Sequence, residues 1–487
     1  MDSRWIMVID SYDGLYKQAA NTLSGTISGY LSYVLPVKLL STVRDDTLSN
    51  HNVIVIGCVE SNRLLQACQT QKLLNIPQQA ESYSIYVGES VLNPQTQMIA
   101  ITGFDAPGVL YGCMDFCNRY CGNMLYRDGY LYSKSFFENP FDKTLPSWRV
   151  NRSPAIKTRA LWTWGHVIYD YRRFFDNMVK LRLNEIVIWN DHAPLNANDV
   201  VNYAHSLGIK VIWGFAWGWD NHCAEFLKSF DFRTLPQLKM HILQTYEEQY
   251  AGTGADGIYF QSFTETSADY AGEKCIAQVV TEFVNDVAGA LLEKYPQLHI
   301  QFGLHATSVN THLDHIKNVD KRVHIVWEDC GAFPYHYYTT ETGNFSQTLQ
   351  FTEKLLALRG AEERFGAVLK GMLNLDWLSF EHFSEPYILG EHTKHYLQNR
   401  QINKDRIWKT VQAGWLKNIE YVRRTVALIA FKGNDPIVQA LVEDAMFENK
   451  ITLPTALYAE LLWTPEADSA TLTEEVAKFP CVHFANP

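Results

Sequence analysis

The chain has 487 residues, 47% hydrophobic and 20% charged, a balance that excludes disorder and fibrous repeats and gives enough length for two or three domains. A formal charge of -11 with no long basic run argues against nucleic acid as the main partner, because phosphate contacts need clustered Lys and Arg. No stretch of about 18 apolar residues reads as a membrane span, and no long apolar segment follows Met1, so a cytoplasmic location is expected, or a secreted or periplasmic one if a leader has been trimmed away.

The first 147 residues read as a small α/β domain. Strand-like runs at Trp5 to Ile9, Val53 to Ile56, Tyr83 to Val87 and Met98 to Thr102 alternate with helical sequence, notably Tyr16 to Val34 and Val109 to Tyr120. The chain holds nine Cys, none spaced as CxxC, which indicates neither a disulfide framework nor a zinc ribbon. Cys113, Cys117 and Cys121 recur every four residues and predict a buried thiol stripe on one helix face.

From residue 148 to 402 the rhythm is strand, loop, long helix. Strands are predicted at Ile156 to Trp164, Glu185 to Asn190, Lys210 to Gly218, Gly257 to Glu265, His299 to Thr307, Val323 to Cys330 and Gly366 to Trp377. Apolar strands separated by helices indicate a parallel sheet covered on its outer side, and a run this long closes into a TIM-type (β/α)8 barrel. The eighth strand is not evident, with Tyr387 to Leu389 one possibility, and residues 403–487 read as a helical extension packed on the barrel, including Ile407 to Leu428 and Pro436 to Phe447.

Active sites of such barrels lie at the C-terminal ends of the strands. Those ends carry Trp164 and His166, Trp189, Asn190, Asp191 and His192, Trp217, Glu265, His305, Trp327, Glu328 and Asp329, then Asn374, Asp376 and Trp377. Indole faces stack on the C–H surfaces of sugar rings while Asn, Asp, His and Glu take hydroxyl hydrogen bonds, so the set predicts a carbohydrate pocket. His166, His192 and His305 lack HxH or HExxH spacing, so neither a metal nor any other cofactor is expected. Glycosidic hydrolysis usually needs a protonated and an ionised carboxyl group. Glu265, ending the fourth strand among aromatic residues, is the candidate acid; Glu328 or Asp329 across the barrel is the favoured partner, then Asp376, with Asp191 also at a plausible height.

A resemblance covers most of the chain. Ile99-Ala-Ile-Thr-Gly103 and Gly108-Val-Leu-Tyr-Gly112 resemble the domain that precedes the barrel in family-20 β-hexosaminidases and family-67 α-glucuronidases. Arg159-Ala-Leu-Trp162, Tyr171-Arg-Arg-Phe-Phe175, Leu183-Asn184 and Trp189-Asn-Asp191 are similar to the family-20 barrel opening. The resemblance implies that Arg159 binds sugar hydroxyls and that Glu265 is the acid. Thr264 departs from family 20, which places an Asp there to orient an acetamido group, so acetamido-assisted chemistry is not implied. The expected function is an exo-acting glycoside hydrolase that cleaves a terminal sugar by carboxylate acid/base catalysis. A sugar-binding or catalytically lapsed barrel, and a hydrolase or lyase of other small molecules, are the alternatives.

Overall fold

The computed structural model describes residues 4–121, 124–127, 130–133, 141, 144–165, 168–218, 231–264, 268–305, 307–328, 344–360, 363–372, 385–401, 405–442 and 446–483. No helix among them is long and apolar enough to cross a membrane.

The N-terminal strands are β1 (Trp5–Ile9), β2 (Val37–Leu39), β3 (Asn52–Gly57), β4 (Tyr83–Glu89) and β5 (Gln97–Gly103), followed by a hairpin, β6 (Met124–Arg127) and β7 (Tyr130–Ser133), and by β8 (Trp148–Arg152). Six of them form one sheet in the order β2-β1-β3-β5-β4-β8, parallel except where β4 runs against β5 and β8. Helices Gly14–Ser28 and Ala106–Arg119 cover one face and helix Arg63–Thr70 the other. Asp105 caps its helix by accepting from the Gly108 amide. A Cβ on Gly108 would strike the Ser82 carbonyl, and one on Gly112 the Ile101 side chain, so these glycines let the helix lie close on the sheet. Cys113 and Cys117 lie on this helix and Cys121 two residues past its end; all three are buried and free. Burial pushes the Cys117 thiol up to about 11, which removes the thiolate that reactivity requires.

The barrel strands are β9 (Thr158–Trp164), β10 (Glu185–Trp189), β11 (Lys210–Gly214) and β12 (Gly257–Gln261); after a small hairpin, β13 (Tyr270–Ala271) and β14 (Lys274–Cys275), come β15 (His299–Leu304), β16 (Val323–Trp327), β17 (Arg364–Met372) and β18 (Asn434–Val442). Eight of these close as β9-β10-β11-β12-β15-β16-β17-β18, every pair parallel.

Two expectations are corrected. The sheet of the first domain extends through β8, past the boundary at 147. The eighth barrel strand is β18, which overlaps the stretch read as helix from Pro436 to Phe447, so the barrel runs on to residue 442. Its sequence Pro436-Ile-Val-Gln-Ala-Leu-Val442 mixes β-branched residues with helix formers and follows helix Asp405–Lys432 directly, so periodicity alone could not separate the two. Tyr387 to Leu389 is not a strand; it braces the loop after β10 through Leu195 N to Tyr387 O at 2.7 Å and Leu389 N to Asn196 Oδ1 at 2.9 Å.

The first domain docks on the end of the barrel where the strands begin. Arg182, in the turn entering β10, is 2% exposed; it pairs with Glu460 of helix Leu453–Leu461 and donates to Tyr83 Oη at 2.8 Å. Arg119 and Arg152 converge on the same Glu460 carboxylate. Burial alone would raise Glu460; Arg182, Arg119 and Arg152 outweigh it and hold the group ionised. The Tyr458 hydroxyl, shared between Ala160 O at 2.7 Å and Val438 O at 2.9 Å, pins the seam between β9 and β18.

Candidate functional site

Strand alternation sends every second side chain into the barrel. Trp162, Val187, Trp189, Ile212, Tyr259, Val326, Val368 and Leu441 pack there as one apolar layer. The rings of Trp162, Trp189 and Tyr259 meet at centroid distances of 5.7–6.2 Å. Gly214 has no side chain because a Cβ there would enter the Trp189 indole.

Toward the C-terminal ends of the strands lies Glu328, the residue after β16, 4% exposed. Its carboxylate is held from several sides: Tyr259 Oη donates to Oε1, Gln261 Nε2 lies 2.7 Å from both oxygens, and His305 Nε2 lies 3.0 Å from Oε2. Burial, then the charge and hydrogen bond of Glu328, push the Tyr259 phenol far above its ordinary range, so it stays a donor. A Cβ on Gly303 would collide with Tyr259 Oη and Glu328 Oε1, so the glycine on β15 makes room for this bond. His305 is the partly open member, its side chain 21% exposed. The result is an oriented carboxylate, bound by neutral donors and an imidazole, above an aromatic floor.

The loop after β10 forms the rim on the opposite side of the barrel mouth, four strands from β16. Asn190 is buried, its amide nitrogen donating to Gly165 O at 3.2 Å and its oxygen accepting from Tyr387 Oη. Asp191 and His192 are half-buried beside it. Burial, and after it the nearby charge of Asp191, push the Tyr250 and Tyr387 phenols up.

The structure brings Glu328 and His305 together, sets Trp189 in the apolar layer against Tyr259, and places Asn190, Asp191 and His192 on the loop across the barrel mouth. It removes three expected sugar contacts. Arg159 is fully buried at the opposite end of the barrel, paired with Glu81 at 2.5 Å and bonded to the carbonyls of Arg182, Ile156 and Lys157, so it ties the first domain to the barrel. Trp217 is fully buried in the outer layer, stacked on Phe260 with ring planes 10° apart. Trp327 belongs to that outer apolar layer as well, since odd positions of β16 face the helices while Val326 faces inward. Tyr259, Gln261 and Trp162 were not picked out from sequence; the two-residue spacing from Tyr259 to Gln261 on an apolar strand was the available signal. Glu265, Asp329, Asp376, His166, Asn374 and Trp377 lie outside the described residues, as does the side chain of Trp164.

The sequence matches no protein-family model and no curated protein. Solved structures do match. One is the family-20 β-N-acetylhexosaminidase from Streptomyces coelicolor A3(2), with a TM-score of 0.50 and 10% identity over 98% of this chain and 90% of that one. A mutant Streptomyces plicatus β-hexosaminidase in complex with its product GlcNAc gives 0.50 and 11% over 99% and 92%. A family-138 enzyme targeting pectin rhamnogalacturonan II gives 0.51 and 10%, this chain covering 52% of its length. At these identities the likeness is one of fold, and the chain has the α/β domain and parallel barrel of the family-20 β-hexosaminidases over nearly its whole length.

Proposed function

We propose that the protein is an exo-acting glycoside hydrolase, with Glu328 as the ionised carboxylate and Glu265 as the general acid. The observation that carries this reading is Glu328 held at the C-terminal ends of the strands by Tyr259, Gln261 and His305 above the Trp162 and Trp189 indoles. That is where barrel enzymes work, and a carboxylate near stacked aromatics suits attack on, or charge stabilisation at, a sugar ring. The fold-sharing hexosaminidases, one bound to GlcNAc, support a carbohydrate ligand. Thr264 stands where acetamido-assisted chemistry would want a carboxylate, so the proposed substrate is a terminal sugar whose cleavage does not depend on a neighbouring acetamido group.

A panel of aryl glycosides, assayed with wild type and Glu265→Gln, tests the assignment. Turnover of poor leaving groups should fall by about 10²–10⁴-fold in the variant, while good leaving groups, which need little protonation, lose less. Undiminished rates for both classes would remove Glu265 as the acid. One observation favours a second reading, a sugar-binding barrel without turnover: both Glu328 oxygens already accept hydrogen bonds from protein groups. Saturable sugar binding with no hydrolysis across the panel would select it.

A further inference from the structure

The loops at the same end of the barrel bring together side chains for which the carbohydrate reading has no use. Cys275 ends β14, and the 3-10 and α-helical turns after β15 carry His312 and His315. One ligand atom from each of the three lies within 4.8 Å of the others. We propose that Cys275, His312 and His315 bind a divalent metal ion of the zinc type, in a site independent of Glu328 and of any sugar.

One thiolate and two imidazoles are the donors that zinc prefers over the oxygen ligands of calcium and magnesium. At metal–ligand lengths of about 2.0–2.3 Å, tetrahedral donors stand roughly 3.5 Å apart, so movements of less than about 1 Å by each side chain complete the site. The frame around it is built. The hairpin pairs Tyr270 with Cys275 and is closed by Ile276 N donating to Asp269 O at 2.9 Å. Thr281 Oγ1, on helix Ile276–Lys294, reaches His315 O at 3.3 Å, and Leu313 and Ile316 anchor the histidine turn in the core.

Asp269 Oδ2 lies 3.6 Å from His312 Nε2, as the outer carboxylate that orients a ligating histidine. Tyr270 packs edge-on against the same ring, centroids 5.5 Å apart. Cys275 is 8% exposed and the histidines are partly open, which leaves a fourth position for water. The spacing hid this arrangement in the sequence, because Cys275 and the two histidines belong to successive β/α units that only the barrel makes adjacent.

The bound ion would join the hairpin after β12 to the turn after β15. Metal-free full-length protein, prepared with a chelator and checked for folding by circular dichroism, is titrated with Co2+ and then with Zn2+. One equivalent of cobalt should produce tetrahedral d–d bands and a thiolate-to-cobalt charge-transfer band, both displaced by zinc. Cys275→Ser should abolish the charge-transfer band. His312→Ala and His315→Ala should each weaken binding by more than the about 10–100-fold expected for Asp269→Asn. No cobalt binding by the folded wild type, a band that survives Cys275→Ser, or affinities unchanged in both histidine variants would each overturn the proposal.

Discussion

The two ends of this barrel are made from similar residues and do opposite things. Where the strands begin, polar groups are packed out of solvent: Glu185, Gln301 and Gln439 form a buried hydrogen-bonded row, His299 meets His324, and Arg182 and Glu460 clamp the first domain. Where they end, Glu328 is held by Tyr259 and Gln261 with the partly open His305 beside it. Burial pushes Glu185 up to about 7, and pushes His299 and His324 down to about 4 and about 2, yet all three sit at the starting ends of their strands. Perturbed groups mark active sites only with a stated position behind them, and in a parallel barrel the end of the strand supplies that position.

The largest effect is expected where the strands end. Glu328→Gln keeps the shape and removes the charge, and should lower kcat on any glycoside the wild type turns over by about 10²–10⁴-fold while thermal unfolding shifts little. A large drop in Tm with activity retained would make Glu328 a structural residue like those at the other end.

Glu460→Gln asks the converse question. It removes the anion from among Arg119, Arg152 and Arg182 and should destabilise the fold by about 3–5 kcal/mol in denaturant titrations, with kcat of the folded protein unchanged. Lost activity at full stability would show that the docked domain reaches the chemistry.

The smallest effect is a pH dependence at Glu185. Its folded pKa is raised, so its stabilising contribution is complete below about pH 4.5 and is lost as pH rises through about 7, where the unfolded chain is ionised and the buried group is forced to follow. Glu185→Gln should therefore match wild type near pH 4.5 and exceed it by up to about 3 kcal/mol above pH 7. His299 and His324 run the other way, losing stability as pH falls, so the difference between variant and wild type, measured from pH 4.5 to 8, isolates the glutamate. A difference that does not grow with pH would mean that Glu185 is ionised in the folded protein.

Much of this architecture was legible because its strands are short, almost wholly apolar and separated by amphipathic helices; Glu185–Trp189 and Val323–Trp327 are buried at every position. What failed was the facing of side chains. Trp327 ends its strand as expected, but on the helix side of the wall, because a strand reverses its face at each residue and a count from the wrong register inverts the answer, whereas Trp217 lies three residues past the end of β11 and turns outward onto Phe260. Arg159 failed for a different reason: its segment begins a strand, and resemblance conveyed a role without conveying which end of the barrel it occupies. Glu328 was legible as a polar residue closing an apolar run, whereas its holders Tyr259 and Gln261 lie on β12 and become its neighbours only through the curvature of the closed sheet.

The seam between β9 and β18 sets an order on biosynthesis. Thr158 pairs with Ile437, so a ribosome must deliver almost the whole barrel before the first strand meets its final neighbour. Until then β9 and β17 are both raw edges with unpaired amides, the kind of surface on which nascent chains cross-associate. The Tyr458 hydroxyl that bridges Ala160 and Val438 arrives later still, as a latch fitted after the last stave. A chain stalled before Asn434 should therefore remain protease-sensitive and engage chaperones, whereas one released after helix Leu453–Leu461 has emerged should not, so the tolerance of this protein to shortening ends well inside the stretch read as a helical extension.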